Sequence, residues 1–298
     1  MVDRHNFTWV VDISHRWHID WTQVPETIQL VLIKATEGDY LVDECFQQHV
    51  EDALKAGRMV GLTHSYRTRN GGRKVPPKAQ ADFFLHHTQP YWDDISLRAN
   101  DFTRGHFLPA AGEFSNPCLG SESEDLFTFH HMLERSDWLA FDLLYTNAAT
   151  WQEMKLENPD NGYQGPGWIK DQSFINGLWL AWWPYRRPRG PAGLGKFVPG
   201  SFSPRLPRPF TQYWAWQFSA DFPLRGLYTK DGRVSRSGNL SVIPYPSGIV
   251  SQALAAYEQG EAVAMDEWSM AAAYRAGRRD QSDWLTESMR RARDKEGR

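Results

Sequence analysis

The chain has 298 residues, 41% of them hydrophobic and 23% charged, which is a globular composition and excludes a wholly disordered polymer. The formal net charge of -3 gives no electrostatic reason to expect a nucleic-acid partner. The outlier is the aromatic content, with 14 Trp among 298 residues. Indole rings fill cores, and they also hold sugar faces.

In chain order, Thr8 to Ile13 reads as a strand, and Leu30 to Ala35 as an apolar run of the kind buried on both sheet faces. Glu44 to Ala56 has helical spacing, with Cys45, Val50, Ala53 and Leu54 on one face and Gly57 as the stop. Met59 to Tyr66 is the next strand, Ala79 to His87 a short helix, Phe107 to Phe114 a strand and Leu126 to Ser136 a helix. Phe141 to Thr146, Gly177 to Trp182, Gln212 to Phe218 and Asn239 to Ile243 supply four more strands. Strands alternating with helices predict parallel pairing and an α/β fold. About eight strands suit a single irregular β/α (TIM-like) barrel, which typically takes about 250 residues. We expect that barrel in residues 1–248 and a helical C-terminal extension in 249–298, rich in Ala, Glu, Arg and Met. Arg186 to Pro209 is a long basic loop dense in Pro and Gly.

Cys45 and Cys118 make no disulfide framework and are expected as buried thiols. His86-His87 and His130-His131 lack metal-ligand spacing, so neither a metal nor a cofactor is expected. The basic stretch Arg67 to Lys74 reads as a solvated loop, with contact to an anionic wall polymer or a protein as the alternative. The N-terminus shows no apolar signal segment, and no run approaches the ~20 apolar residues of a membrane span. The expectation is a protein made in a cytoplasm.

Several segments resemble one family in its own order. They are Val11-Asp12-Ile13-Ser14-His15, Ile19-Asp20-Trp21, Val31 to Gly38 and Ala53 to Gly57. Val60 to His64, Gln80 to Leu85, Leu144 to Asn147 with Trp151, Leu178 to Ala181 and Trp216 to Ser219 follow. The series is similar to the family 25 glycoside hydrolases, the Chalaropsis-type lysozymes of bacteria and phages, over roughly residues 7 to 245. The resemblance implies an irregular β/α barrel that cleaves the bond after N-acetylmuramic acid in peptidoglycan, at the cell wall or in a virion. It implies an aspartate on the first strand, here Asp12, an Asp-x-Glu pair ending the fourth, and another aspartate on the last.

This chain departs from that pattern. Without a gap, Glu113 takes the Asp place of the pair and Ser115 the acid's place; with a two-residue shift, Glu113 is the acid and Ala111 replaces the Asp. Both registers keep one face, since strand parity is two. Asn239 stands where the last strand's aspartate is expected, and Thr63 where the third strand commonly has Tyr. The expected site is therefore Asp12 and Glu113 as catalytic carboxylates, with Tyr145, Trp179, Trp216 and Asn239 against the glycan. Loss of clustered carboxylates weakens the tuning of the acid, so catalysis is expected to be impaired or lost. The alternative is a non-catalytic interaction or virion protein on the same barrel. The segment 251–298, with Trp268 and Trp284, would then dock on a partner or a second copy.

Overall fold

The structure, a computed structural model, describes residues 8–93, 107–114, 123–134, 143–153, 177–183, 204–208, 210, 213, 215–222, 224–235 and 238–243. The expected extension 249–298, Ser115, Cys118 and most of the Arg186–Pro209 loop lie outside the described residues.

The apolar runs become the strands of one curled, mixed sheet. Its members are β1 (Thr8–Ile13), β3 (Ile28–Glu37), β4 (Leu41–Val42), β5 (Met59–Ser65), β8 (Phe107–Phe114), β9 (Leu143–Thr146), β10 (Gly177–Ala181), β11 (Ala215–Phe222) and β13 (Gly238–Ile243). Their order is β1-β13-β11-β10-β9-β8-β5-β3-β4, and β1 also pairs with β3, so the first strand has partners on both flanks. Short strands form two satellites: β2 (Trp17–Ile19) pairs with β12 (Leu227–Thr229), and β6 (Arg69–Asn70) with β7 (Arg73–Lys74). The parallel expectation holds for the pairs from β3 round to β11 and needs correcting at the end of the sheet. There β13 runs antiparallel to both β1 and β11. The segment between β11 and β13 holds no helix among the described residues; its strand β12 pairs with β2 instead.

Alternation along each strand sorts two apolar clusters onto the two faces of the sheet. Val10, Leu30, Leu32, Met59, Leu143, Tyr145, Trp179 and Ala215 form the inner one. Trp9, Val11, Ile33, Leu62, Trp216 and Phe218 belong to the outer one, together with side chains of four helices. The helices are α1 (Phe46–Lys55), α2 (Pro77–Asp93), α3 (Ser123–Glu134) and α4 (Ala148–Glu153). In α1, Phe46, His49, Val50, Ala53 and Leu54 face inward at helical spacing, and Gly57 ends it with a positive φ of 71°. Helix α4 is capped by Asn147, whose Oδ1 accepts from the Thr150 backbone N–H at 2.9 Å. Cys45, at the start of α1, is a free thiol and only half-buried.

The basic stretch 67–74 is better tethered than a solvated loop. Arg73 pairs with Asp39, Lys74 with Asp125 of α3 at 3.7 Å, and Arg67 with Glu37 at 2.8 Å.

His64 on β5 ties the outer layer together. Gln80 Nε2 donates to the backbone oxygens of Arg67 and Val75, so its Oε1 is left as an acceptor, 3.3 Å from His64 Nε2. The opposite nitrogen, Nδ1, lies 2.7 Å from Thr36 Oγ1. This assigns a neutral ring protonated at Nε2. Burial of the ring pushes its pKa down from an ordinary 6.5 to about 3. The unfolded chain therefore binds a proton below pH 6.5 that the folded chain refuses, and stability is lost as pH falls. Between pH 6.5 and 5 the loss from this group is expected to be about 2 kcal/mol. Urea midpoints at pH 7 and pH 5 check this, and the difference should shrink in His64→Gln.

Candidate active site

Asp12 is the penultimate residue of β1 and shares the inner face with Val10. It is 8% exposed, and both carboxylate oxygens accept amide hydrogens. Gln217 Nε2 donates to Oδ1 at 2.8 Å, and Asn239 Nδ2 donates to Oδ2 at 2.5 Å. The orientation of Gln217 is fixed by its other end. Its Oε1 accepts from Tyr145 Oη at 2.8 Å and from Trp183 Nε1 at 3.0 Å. An indole N–H can only donate, so the atom facing it is the amide oxygen and the amide nitrogen must point at Asp12. Four strands thus contribute to one buried chain of hydrogen bonds: β9 through Tyr145, β11 through Gln217, β1 through Asp12 and β13 through Asn239. Each carboxylate oxygen of Asp12 therefore has a fixed amide donor.

The expected residues fall into four groups. Asp12, Tyr145 and Asn239 are brought together directly. Trp179 lies beneath them, fully buried, with its ring edge-on to Tyr145 at 4.4 Å between centroids and its Nε1 donating to Ser241 Oγ at 3.0 Å. It braces the Tyr145 ring and has no surface to offer a sugar. Trp216 is taken elsewhere. It sits on the outer face, fully buried, stacked on Trp182 at 5.7 Å and donating to the Trp182 carbonyl at 2.8 Å. Adjacent strand residues point to opposite faces, so the strand that sends Gln217 to Asp12 must send Trp216 outward. Glu113 occupies a defined register position on β8, paired with Ser65 on one side and Tyr145 on the other. Ala111 pairs with Thr63 and Leu143 one step below.

Three residues were not expected at the site. Gln217 lies in the segment Trp216 to Ser219, next to the Trp216 expected against the glycan. Trp183 follows β10 and is 53% exposed while its Nε1 is anchored on Gln217, so an indole face stands open beside Asp12. Parity was the available signal, because Trp183 falls two residues beyond Ala181 and four beyond Trp179. Glu37 ends β3 in register with Ser65, which is in turn in register with Glu113. Burial would raise the Glu37 pKa, but hydrogen bonds and charge from Arg67 and Lys34 outweigh it and bring it down to about 2. Lys34 Nζ donates to Glu37 Oε2 at 2.5 Å and Arg67 Nε to Oε1 at 2.8 Å. The rim therefore carries a permanently ionised carboxylate, compensated by two cations.

Asp12 at the end of β1, clamped by two amides, and the half-exposed Trp183 indole on Gln217 thus sit at one end of the curled sheet. The family model for glycosyl hydrolases family 25 matches residues 11–227, well over half of the chain, and the chain belongs to that family. Solved structures agree on the fold. The chain is similar to the lysozyme of Streptomyces coelicolor, with a TM-score of 0.60 and 19% identity over 83% of this chain and 97% of that one. It is also similar to a family 25 lysozyme from Aspergillus fumigatus, with a TM-score of 0.53 and 20% identity over 83% and 98% of the two chains. The catalytic domain of the endolysin ply40, from bacteriophage P40 of Listeria monocytogenes, matches with a TM-score of 0.52 and 14% identity over 84% and 97%. No curated protein matches the chain in sequence at a significant level. Among the described residues, no helix is long and apolar enough to cross a membrane.

Proposed function

We propose that this protein is a muramidase-type hydrolase of peptidoglycan, acting at the cell wall, with Asp12 and Glu113 as its working carboxylates. The observation that carries the reading is the clamp on Asp12, with an amide donor on each oxygen and the open face of Trp183 beside it. Family membership and the lysozyme and endolysin neighbours support the substrate class. Such a residue serves as the fixed negative partner of a positively charged sugar centre, and the proton donor must then come from another strand. Glu113, in register with Tyr145, is that donor. In the reaction we propose, Glu113 protonates the glycosidic oxygen and the bond to the anomeric carbon breaks. Positive charge then develops on the ring, and the substrate's own acetamide oxygen traps it beside Asp12. Water attacks the trapped carbon, the acetamide leaves as the displaced group, and Glu113 takes the proton back.

We take the register that places Glu113 as acid and Ala111 in place of its aspartate partner; both positions lie within β8. In this reading turnover is slower than in a relative with the full carboxylate set, since a neutral Ala111 and a neutral Asn239 no longer help keep the acid protonated. Clearance of purified cell walls by Ala111→Asp is expected to exceed wild type by about tenfold or more, with no gain from Ser115→Glu. A gain from Ser115→Glu alone would reverse the register. A wild type and an Ala111→Asp variant that both release no product would favour a non-catalytic protein. We also propose that the barrel occupies residues 1–248, and that 249–298 is a helical extension able to associate with another chain.

A further inference from the structure

Tyr40 stands in the turn between β3 and β4, 39% exposed, yet its ring is fixed at both ends. One edge lies directly on Gly38, where φ is +55° and an added Cβ would come 2.3 Å from Tyr40 Cε1. Only glycine lets the ring settle there. The phenol Oη donates to Glu37 Oε1 at 3.3 Å, and Glu37 is itself held by Lys34 and Arg67. The Gly38 N–H donates to the Ser65 carbonyl at 3.1 Å, which ties the turn to the end of β5.

The turn belongs to the same rim as the proposed carboxylates. Strands β1, β3, β5, β8, β9 and β10 run parallel, so their C-terminal ends lie together. Tyr40 follows β3 and Trp183 follows β10, while Glu113, next to last on β8, lies two strands from each of those strands. At about 4.8 Å per strand step, roughly 20 Å of sheet separates the strands that carry the two exposed rings, with the strand of Glu113 midway. Thr36 Oγ1 bonds to His64 in the outer layer, so its neighbour Glu37 falls on the inner face, and the Tyr40 hydroxyl reaches over that face.

The surroundings decide what the ring can hold. Glu37 pairs with Lys34 and Arg67, and Asp39 with Arg73. An apolar protein surface laid over Tyr40 would strip water from these pairs and return no hydrogen bonds. A sugar brings an apolar face for the ring and hydroxyls for the charged groups around it.

We propose that Tyr40 is a second aromatic platform for the glycan, across Glu113 from Trp183, so that a bound strand crosses the rim over both rings. The proposal rests on the muramidase reading for its substrate and adds selection for length. A strand that spans both rings binds more tightly than a fragment that meets one of them.

The test uses full-length Glu113→Gln protein, which leaves its ligand intact, titrated by calorimetry with two peptide-free ligands. These are a disaccharide and an octasaccharide of alternating N-acetylglucosamine and N-acetylmuramic acid. We expect the octasaccharide to bind more tightly. Adding Tyr40→Ala should weaken octasaccharide binding about tenfold or more, with a smaller loss for the disaccharide, while Tyr40→Phe retains both. An octasaccharide bound no more tightly than the disaccharide, or an equal loss for both ligands, overturns the proposal. Should Tyr40→Ala fail to fold, Tyr40→Leu, which keeps apolar bulk over Gly38 without a flat ring, decides in the same way. A parent protein that binds neither ligand overturns the glycan reading together with this one. A parent that binds both, with Tyr40→Ala binding them as tightly, overturns this proposal alone.

Discussion

Replacing Glu113 with Gln is expected to lower release of soluble glycan from purified peptidoglycan by about 100- to 10,000-fold. A neutral amide keeps the size of the side chain and removes the transferable proton. If Asp12 and Glu113 divide the work as proposed, the two replacements should differ in kind. Glu113→Gln should lose most on substrates with a poor leaving group, and far less on an aryl glycoside whose leaving oxygen needs no protonation. Asp12→Asn should lose on both, because the positive ring centre forms in either case. It also sets three amide groups against one another where Gln217 and Asn239 now both donate to a carboxylate. Steady-state rates on the two substrate types check this, and equal losses for both variants on both substrates would contradict the division.

The largest expected effect on stability belongs to Trp216. Its ring is fully buried on the outer face, stacked on Trp182 and in edge contact with Phe218 at 6.0 Å and Tyr213 at 6.3 Å. Trp216→Ala opens a cavity between sheet and helices and leaves the Trp182 carbonyl without its indole donor. The expected cost is about 3–5 kcal/mol, or a thermal midpoint lower by roughly 6–20 °C for a domain of this size. Trp183→Ala should behave in the opposite way. That ring is mostly exposed, so stability should change by about 0.5 kcal/mol or less. KM for glycan should rise, since the loss is an open aromatic face. Thermal melts of the two variants beside wild type, with KM for the second, separate an indole that holds the fold from one that holds substrate.

That contrast also marks where the sequence was readable. Strands β1 and β8 were delimited to the residue, because Thr8–Ile13 and Phe107–Phe114 are apolar runs bounded by polar or turn-forming segments. Helix α2, expected over Ala79 to His87, runs from Pro77 to Asp93 and carries Pro90 within it. Strands β2, β4, β6, β7 and β12 are two or three residues long, too short for alternation to register. The direction of β13 leaves no mark on hydrophobicity, so its antiparallel pairing could not be read. At the site, Asp12, Tyr145 and Asn239 share one hydrogen-bonded chain through Gln217 and the Asp12 carboxylate. Residue type alone points to Trp216, whereas it is Gln217 beside it that holds Asp12. Strand parity would have separated the two, but only once the inner face of β11 was known. Glu37 was hidden in a different way: its role depends on Arg67, thirty residues away on another strand's end.

The central claim is that Asp12 and Glu113 hydrolyse the bond after N-acetylmuramic acid. The most direct measurement is mass spectrometry of the fragments released from purified peptidoglycan after borohydride reduction, which labels each newly formed reducing end. The account predicts N-acetylmuramitol ends from wild type, and their disappearance in Glu113→Gln. Ends carrying N-acetylglucosaminitol, or no soluble fragment from the wild-type protein, would contradict it.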